Sequence, residues 1–401
     1  MMTTVRLASL AGLLVSAGLV AAQGPAASRP APPPASECRP ADCACDCAAP
    51  AGPSGPRVWA DADYLLWWVK NGPLPAPLVT TNADALGSIG ALNETATRVL
   101  FGGSGGDLNY HQFSGGRVTV GGWLGRDERF GAEVSGFLLE TRALSFQASS
   151  AGGDAPLVSV PFNATVPFTF NPAGETSLNA GGAPNTVGVS STSRLWGAEA
   201  NDLFRLIDRP RWQLTLLFGF RYLDLDERLG LNDTFSDAAG GGVLSVIDTF
   251  HTRNQFYGGQ LGLRAGLRFG RLSVDVTGKC ALGVDYEFSD INGSTVTTHG
   301  AFGFPTGVVP GGLFAEASNV GRHTDTPFTV VPEARLQVGY DLTRHLRAVI
   351  GYDFLYVSDV LRPGAQVDRN VNPTQSVLFG GTGGVLSGPP APPGTTAHSD
   401  F

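Results

Sequence analysis

The chain has 401 residues, 54 of them glycine, with 42% hydrophobic but only 15% charged residues, against about 25% charged in ordinary globular domains. That apolar content excludes a chain disordered throughout, and the lack of long Ala/Leu/Glu/Lys stretches with a 3.6-residue period excludes a helical enzyme. The formal net charge of −8, with lysine confined to Lys70 and Lys279, excludes a basic face for nucleic acid.

Residues 1–22 read as an export signal. Arg6 supplies the positive end, 7–20 is an apolar run, and Val20-Ala21-Ala22 offers a small-residue cleavage site. The run is too short and too glycine-interrupted for a membrane anchor, and no later segment has 18 unbroken apolar residues. Residues 23–56 form a Pro/Ala-rich linker holding Cys38, Cys43, Cys45 and Cys47. Their spacing lacks the paired C-x2-C of a zinc site and no histidine is near, so no metal is expected; export favours disulfides.

From residue 57 the chain alternates with a two-residue period. Nine strands are predicted, at 57–69, 117–126, 130–146, 194–206, 211–227, 250–269, 271–288, 328–341 and 346–361. In the fifth, Trp212, Leu214, Leu216, Phe218, Phe220 and Tyr222 share one face, while Gln213, Thr215, Gly219 and Arg221 share the other. In the ninth, Leu346, Ala348, Ile350, Tyr352, Phe354 and Tyr356 oppose Arg347, Gly351 and Asp353. A soluble sandwich buries the oily face; a membrane barrel turns it toward lipid and its polar face toward the lumen.

Three features favour the barrel. The strands exceed the usual five or six residues. Connections alternate: short at 127–129, 207–210, 270 and 342–345, long at 70–116, 147–193, 228–249 and 289–327, as in barrels with short periplasmic turns and long outer loops. Tryptophans lie in strands or at their edges, so Trp59, Trp67, Trp68, Trp196 and Trp212, with Tyr340 and Tyr356, are the expected membrane-interface aromatics. The predicted fold is an all-β, antiparallel up-and-down transmembrane barrel of about ten strands spanning 57–401. Nine strands do not close in the usual even-numbered way, residues 362–397 read as a final loop, and the chain end is expected to be cut short of its last strand.

Several segments resemble the bacterial beta barrel porin-7 family. They are Ala62-Asp63-Tyr64-Leu65-Leu66-Trp67-Trp68-Val69-Lys70 with Pro73-Leu74-Pro75-Ala76-Pro77-Leu78-Val79-Thr80-Thr81, Ser193-Arg194-Leu195-Trp196-Gly197-Ala198-Glu199-Ala200-Asn201, and Gly219-Phe220-Arg221-Tyr222-Leu223-Asp224-Leu225-Asp226-Glu227. Phe256-Tyr257-Gly258-Gly259-Gln260-Leu261-Gly262 and Arg362-Pro363-Gly364-Ala365-Gln366-Val367-Asp368-Arg369-Asn370-Val371-Asn372 complete the set. The resemblance implies an outer-membrane barrel and carries no catalytic residues; in the family, the segment resembling Ser399-Asp400-Phe401 opens a last strand.

The expected lumen-lining charges are Glu133, Glu199, Arg221, Arg264, Arg268, Asp275, Lys279, Glu333, Arg335, Arg347 and Asp353. They could line an ionic path or pair across the barrel and fill it; about eight strands enclose a filled lumen and 16–18 an open channel, so ten favours pairing. Gly270-Arg271 as a two-residue turn would set Arg264 opposite Thr277 and diagonal to Asp275, and Arg335 could lie diagonal to Asp353. Cys280 sits on an apolar strand face as a buried or lipid-facing thiol. No hydrolase or phosphate-binding motif occurs, and His251, His299 and His323 lack diagnostic spacing, so neither catalysis nor a cofactor is expected. The expected role is a porin-like or structural component of the bacterial outer membrane with a narrow charged lumen. Its expected partners are outer-membrane lipid, the barrel-assembly machinery and small solutes or ions, with no nucleic acid. A secreted β-sandwich adhesin binding through its long loops is the alternative.

Overall fold

The computed structural model describes residues 11–19, 58–82, 89–125, 127–153, 156–168, 172–180, 182–237, 239–343, 346–379 and 398–399. Most of the expected signal, the linker and its four cysteines lie outside them. Ten strands form the wall: β1 (Ala11–Leu19), β2 (Val58–Trp68), β3 (Gln112–Leu124), β4 (Phe130–Leu139), β5 (Asn185–Arg209), β6 (Trp212–Ser236), β7 (Val243–Phe269), β8 (Leu272–Thr297), β9 (Phe328–Asp341) and β10 (Leu346–Leu355). Each pairs antiparallel with the next, and β10 pairs with β1, so the ring is closed. Closure leaves no edge whose backbone groups would meet hydrocarbon unpaired.

The tenth position departs from the expectation of an unfilled place. Ala11–Leu19, from the segment read as an export signal, lies between Val58–Trp68 and Leu346–Leu355. The physical reason is that both flanking strands otherwise present open ladders.

Alternation dictates the wall. Phe218, Leu263 and Ile350 point outward and are about half exposed, whereas Arg117, Glu133, Arg221 and Asp353 point inward and are buried. Gly270 and Arg271 form the two-residue turn between β7 and β8, and Gly270 takes a left-handed φ of 65° that glycine tolerates. Arg264 then falls opposite Thr277, as the turn length requires.

The long connections are more ordered than the sequence suggests. The predicted 228–249 loop is a continuation of β6 and β7, with Leu231 opposite Asp248. The predicted 130–146 strand breaks at residue 140, and Arg142–Ser150 pairs separately with the upper part of β5. Segments of 70–116 and 147–193 build a side sheet from Pro77–Asn82, Thr97–Gly102, Leu157–Ala164 and Gly174–Leu178, joined by Asn370–Val371. The predicted ninth strand stops at Leu355, short of its expected end at 361, and the described part of the predicted final loop, 362–379, folds inward. Val360, Val367 and Val371 join a core with Leu78, Val160, Phe162, Leu229, Leu231, Phe235, Leu244, Phe250 and Phe314. Full burial of each such large side chain is worth about 1.5–3 kcal/mol.

Candidate functional site: the charged barrel interior and its plug

Inward alternation places charges from most of the wall on the barrel axis. Arg221 on β6 bonds Glu199 on β5 at 2.6 Å and also Glu333 on β9. Lys279 on β8 reaches Glu199 at 2.7 Å and Glu333 at 3.1 Å. Arg335 bridges Glu333 at 3.3 Å and Asp353 at 3.1 Å, and Arg117 on β3 meets Asp353 at 2.6 Å and Asp63 at 4.0 Å. One level lower, Arg264 grips Glu133 through two bonds of 2.9 and 2.8 Å. Arg117, Arg221, Arg264, Lys279 and Arg335 thus face Asp63, Glu133, Glu199, Glu333 and Asp353, five cations against five carboxylates. A cavity of ≈ 20 Å³ lined by Arg117, Glu199, Arg221, Glu333 and Arg335 remains in this belt, about one water-sized sphere.

One expected partnership changes, and a second keeps its partner in a different register. Arg264 binds Glu133 across the lumen rather than the diagonal Asp275, because the interior of a ten-stranded ring is narrow enough for strands three places apart to touch. Arg335 lies directly opposite Asp353, not diagonal to it. Arg268, Asp275 and Arg347 stand apart from the belt at the short-turn rim, around a 220 Å³ cavity also lined by Arg209 and Arg211. Arg347 there bonds Asp341 at 2.7 Å. The sequence reading missed Arg117 and Asp63, although both share strand parity with inward neighbours.

Above the belt the segment following β10 folds in against inward side chains of β6 and β7. Arg362 bonds Glu227 of β6, with Nη2 to Oε1 at 2.9 Å, and both side chains are fully buried. Beside it Asn254 of β7 clamps the Leu361 backbone, donating to its carbonyl at 2.9 Å and accepting from its N–H at 2.8 Å. Further along, the Asn372 N–H donates to Glu316 at 3.0 Å, and Arg369 pairs with Glu175 at 2.6 Å. Burial pushes the Glu316 carboxyl up to about 8. Burial likewise raises Asp248 to about 6, against the pull of three backbone N–H groups from Leu313, Phe314 and Ala315.

The outward face carries the aromatics. Trp196 packs on Tyr222 and Tyr222 on Tyr257, each pair 5.0 Å between ring centres, in a row beside which Tyr286 also lies exposed; Trp68 is exposed elsewhere on the ring, on β2. Trp212, Phe269, Phe130 and Tyr340 mark the opposite end. Twelve steps from Tyr257 to Phe269, at about 3.3 Å each and a tilt of about 40°, span roughly 30 Å, the thickness of a hydrocarbon core. Tyr356 follows β10 on the outward parity. Trp59 and Trp67 are corrections: both share the inward parity. Trp67 is 3% exposed with the Arg117 guanidinium 5.8 Å from its ring, and Trp59 packs near Trp123. An indole occupies the interior there because Gly121 leaves space that any Cβ would close. Cys280 is exposed on the outward face. His251 touches Asp226 at 3.3 Å, His323 bonds the Asn319 carbonyl, and His299 sits in a left-handed turn.

A closed antiparallel ring, apolar outside over a membrane thickness and ionic inside, defines a transmembrane β-barrel. The chain belongs to the beta barrel porin-7 family, whose model matches residues 59–401. No curated relative matches it. It is an outer-membrane, porin-like protein.

Proposed function

We propose that the protein is a sealed barrel, a structural component of the outer membrane rather than an open pore. The observation that carries this reading is the buried Arg362–Glu227 pair, which closes the axis above a belt whose charges cancel. An ion entering the belt would have to displace fixed partners, and the cavity left there is ≈ 20 Å³. The half-exposed outward Phe218, Leu263 and Ile350 speak against a water-soluble adhesin sandwich. Short turns face the periplasm, as in barrels generally. The partners are membrane lipid and the assembly machinery that inserts barrels.

Planar-bilayer recording tests this. Wild-type protein is expected to show no large stable conductance steps, while Arg362→Glu, which sets two carboxylates against each other, is expected to give flickering openings. Large stable wild-type steps would overturn the sealed reading. Heat-modifiable gel mobility checks the barrel itself.

A further inference from the structure

The outer wall just above the Trp196–Tyr222–Tyr257 row carries a charged arc that the barrel interior does not use. The register sets Arg194 of β5 beside Asp226 of β6 and Asp226 beside Arg253 of β7. One rung higher, Arg228 lies beside His251, His251 beside Asp290 of β8, and Asp290 beside Arg322 of the paired segment Gly321–Asp325. All share the outward parity of the aromatic row. Arg194, Arg228 and Arg322 are 45%, 61% and 56% exposed, and their nearest carboxylates lie at 4.0, 3.9 and 3.7 Å. They are tethered loosely, whereas Arg253 clamps Asp224 at 2.7 Å. Four arginines face Asp224, Asp226 and Asp290, which leaves one cation in surplus, and His251 adds another when protonated.

Depth identifies the neighbour. Arg194 is two residues above Trp196, and Arg228 is six above Tyr222, so the arc stands about 5–15 Å beyond the apolar band. That is the headgroup layer of the surrounding lipid. Guanidinium forks match phosphate oxygens in pairs. Arg322 also lies 4.3 Å over the buried Phe288 ring, which holds its guanidinium at the wall. We propose that this arc is a binding site for the phosphorylated headgroup of a membrane glycolipid. The proposal rests on the barrel reading and not on whether the axis is sealed.

The test uses the full chain in neutral detergent micelles doped with bisphosphorylated lipid A or with phosphatidylcholine, counting retained lipids by native mass spectrometry. Wild-type protein is expected to keep lipid A in preference to phosphatidylcholine. The triple variant R194Q/R228Q/R322Q is expected to lose about a hundredfold of that retention, since each surface arginine is worth about 1 kcal/mol toward anionic lipid. The triple variant R209Q/R211Q/R271Q, at the opposite rim, should retain it as wild type does. Equal retention by all three proteins, or displacement of lipid A by inorganic phosphate at matched ionic strength, would overturn the proposal. Heat-shift mobility is run on each protein: a wild type without the shift sinks the barrel reading alone. If the first triple variant lacks it, the single Arg228→Gln carries the comparison.

Discussion

At the scale of single residues, the Arg362–Glu227 pair joins two segments that are 135 positions apart in sequence. Both residues fall in segments that resemble the family, yet nothing in their spacing says that they meet; only the fold brings them together. Removing one partner strands a buried charge, at a cost of about 3–5 kcal/mol, whereas replacing both by apolar residues of similar volume is often nearly neutral. Arg362→Met is therefore expected to lower the temperature at which the heat-modifiable band shifts. The double variant Arg362→Met/Glu227→Leu is expected to recover most of the loss, and the same gel assay reads both. Glu316 gives a pH signature. Its carboxyl is held protonated in the folded chain up to about 8, against an ordinary value of 4.5. Between those values the folded state holds a proton that the unfolded chain releases, so its contribution is complete below about 4.5 and fades as pH rises to 8. Resistance to urea should fall across that window in wild type and stay flatter in Glu316→Gln.

At the scale of the strand, the apolar face changes sides along one continuous element. In β6 the residues from Trp212 to Tyr222 put apolar groups outward, but Leu223, Leu225, Leu229, Leu231 and Phe235 point inward. β7 switches likewise, from outward Tyr257, Leu261 and Leu263 to inward Phe256, Phe250, Val246 and Leu244. Lipid surrounds the lower part and water the upper, so the buried side inverts while the backbone continues. The two-residue period was legible in the sequence, and so was the 270–271 turn. The phase reversal was present in the sequence as well, but a reading that expects one oily face per strand takes the reversed part for a loop. Phe218→Arg, near the middle of the band, is expected to destabilise the barrel by about 2–4 kcal/mol in urea-driven folding into lipid vesicles. Asn232→Arg, outward on the same strand but above the band, should change it by less than about 0.5 kcal/mol.

At the scale of the whole molecule, the resemblance carried by short motifs and the alternation together made the barrel class readable. Which charges meet across the lumen was not readable, because those neighbours depend on strand number and stagger rather than on spacing along the chain. Arg264 shows the difference: a hairpin argument pairs it with Asp275, while ring closure delivers Glu133. The inward fold of Arg362 was hidden for another reason. A Pro/Gly-rich stretch without alternation reads as exposed, and its burial is decided by the apolar hollow that the extended strands leave for it.

The upper reaches of β6 and β7 have a further consequence. Fourteen residues separate Tyr257 from Val243, and at about 3.3 Å per residue with a tilt of about 40° they rise roughly 35 Å from the lipid surface. The exposed Val308 and Val309, paired with the far end of β8, therefore stand well clear of the lipid surface.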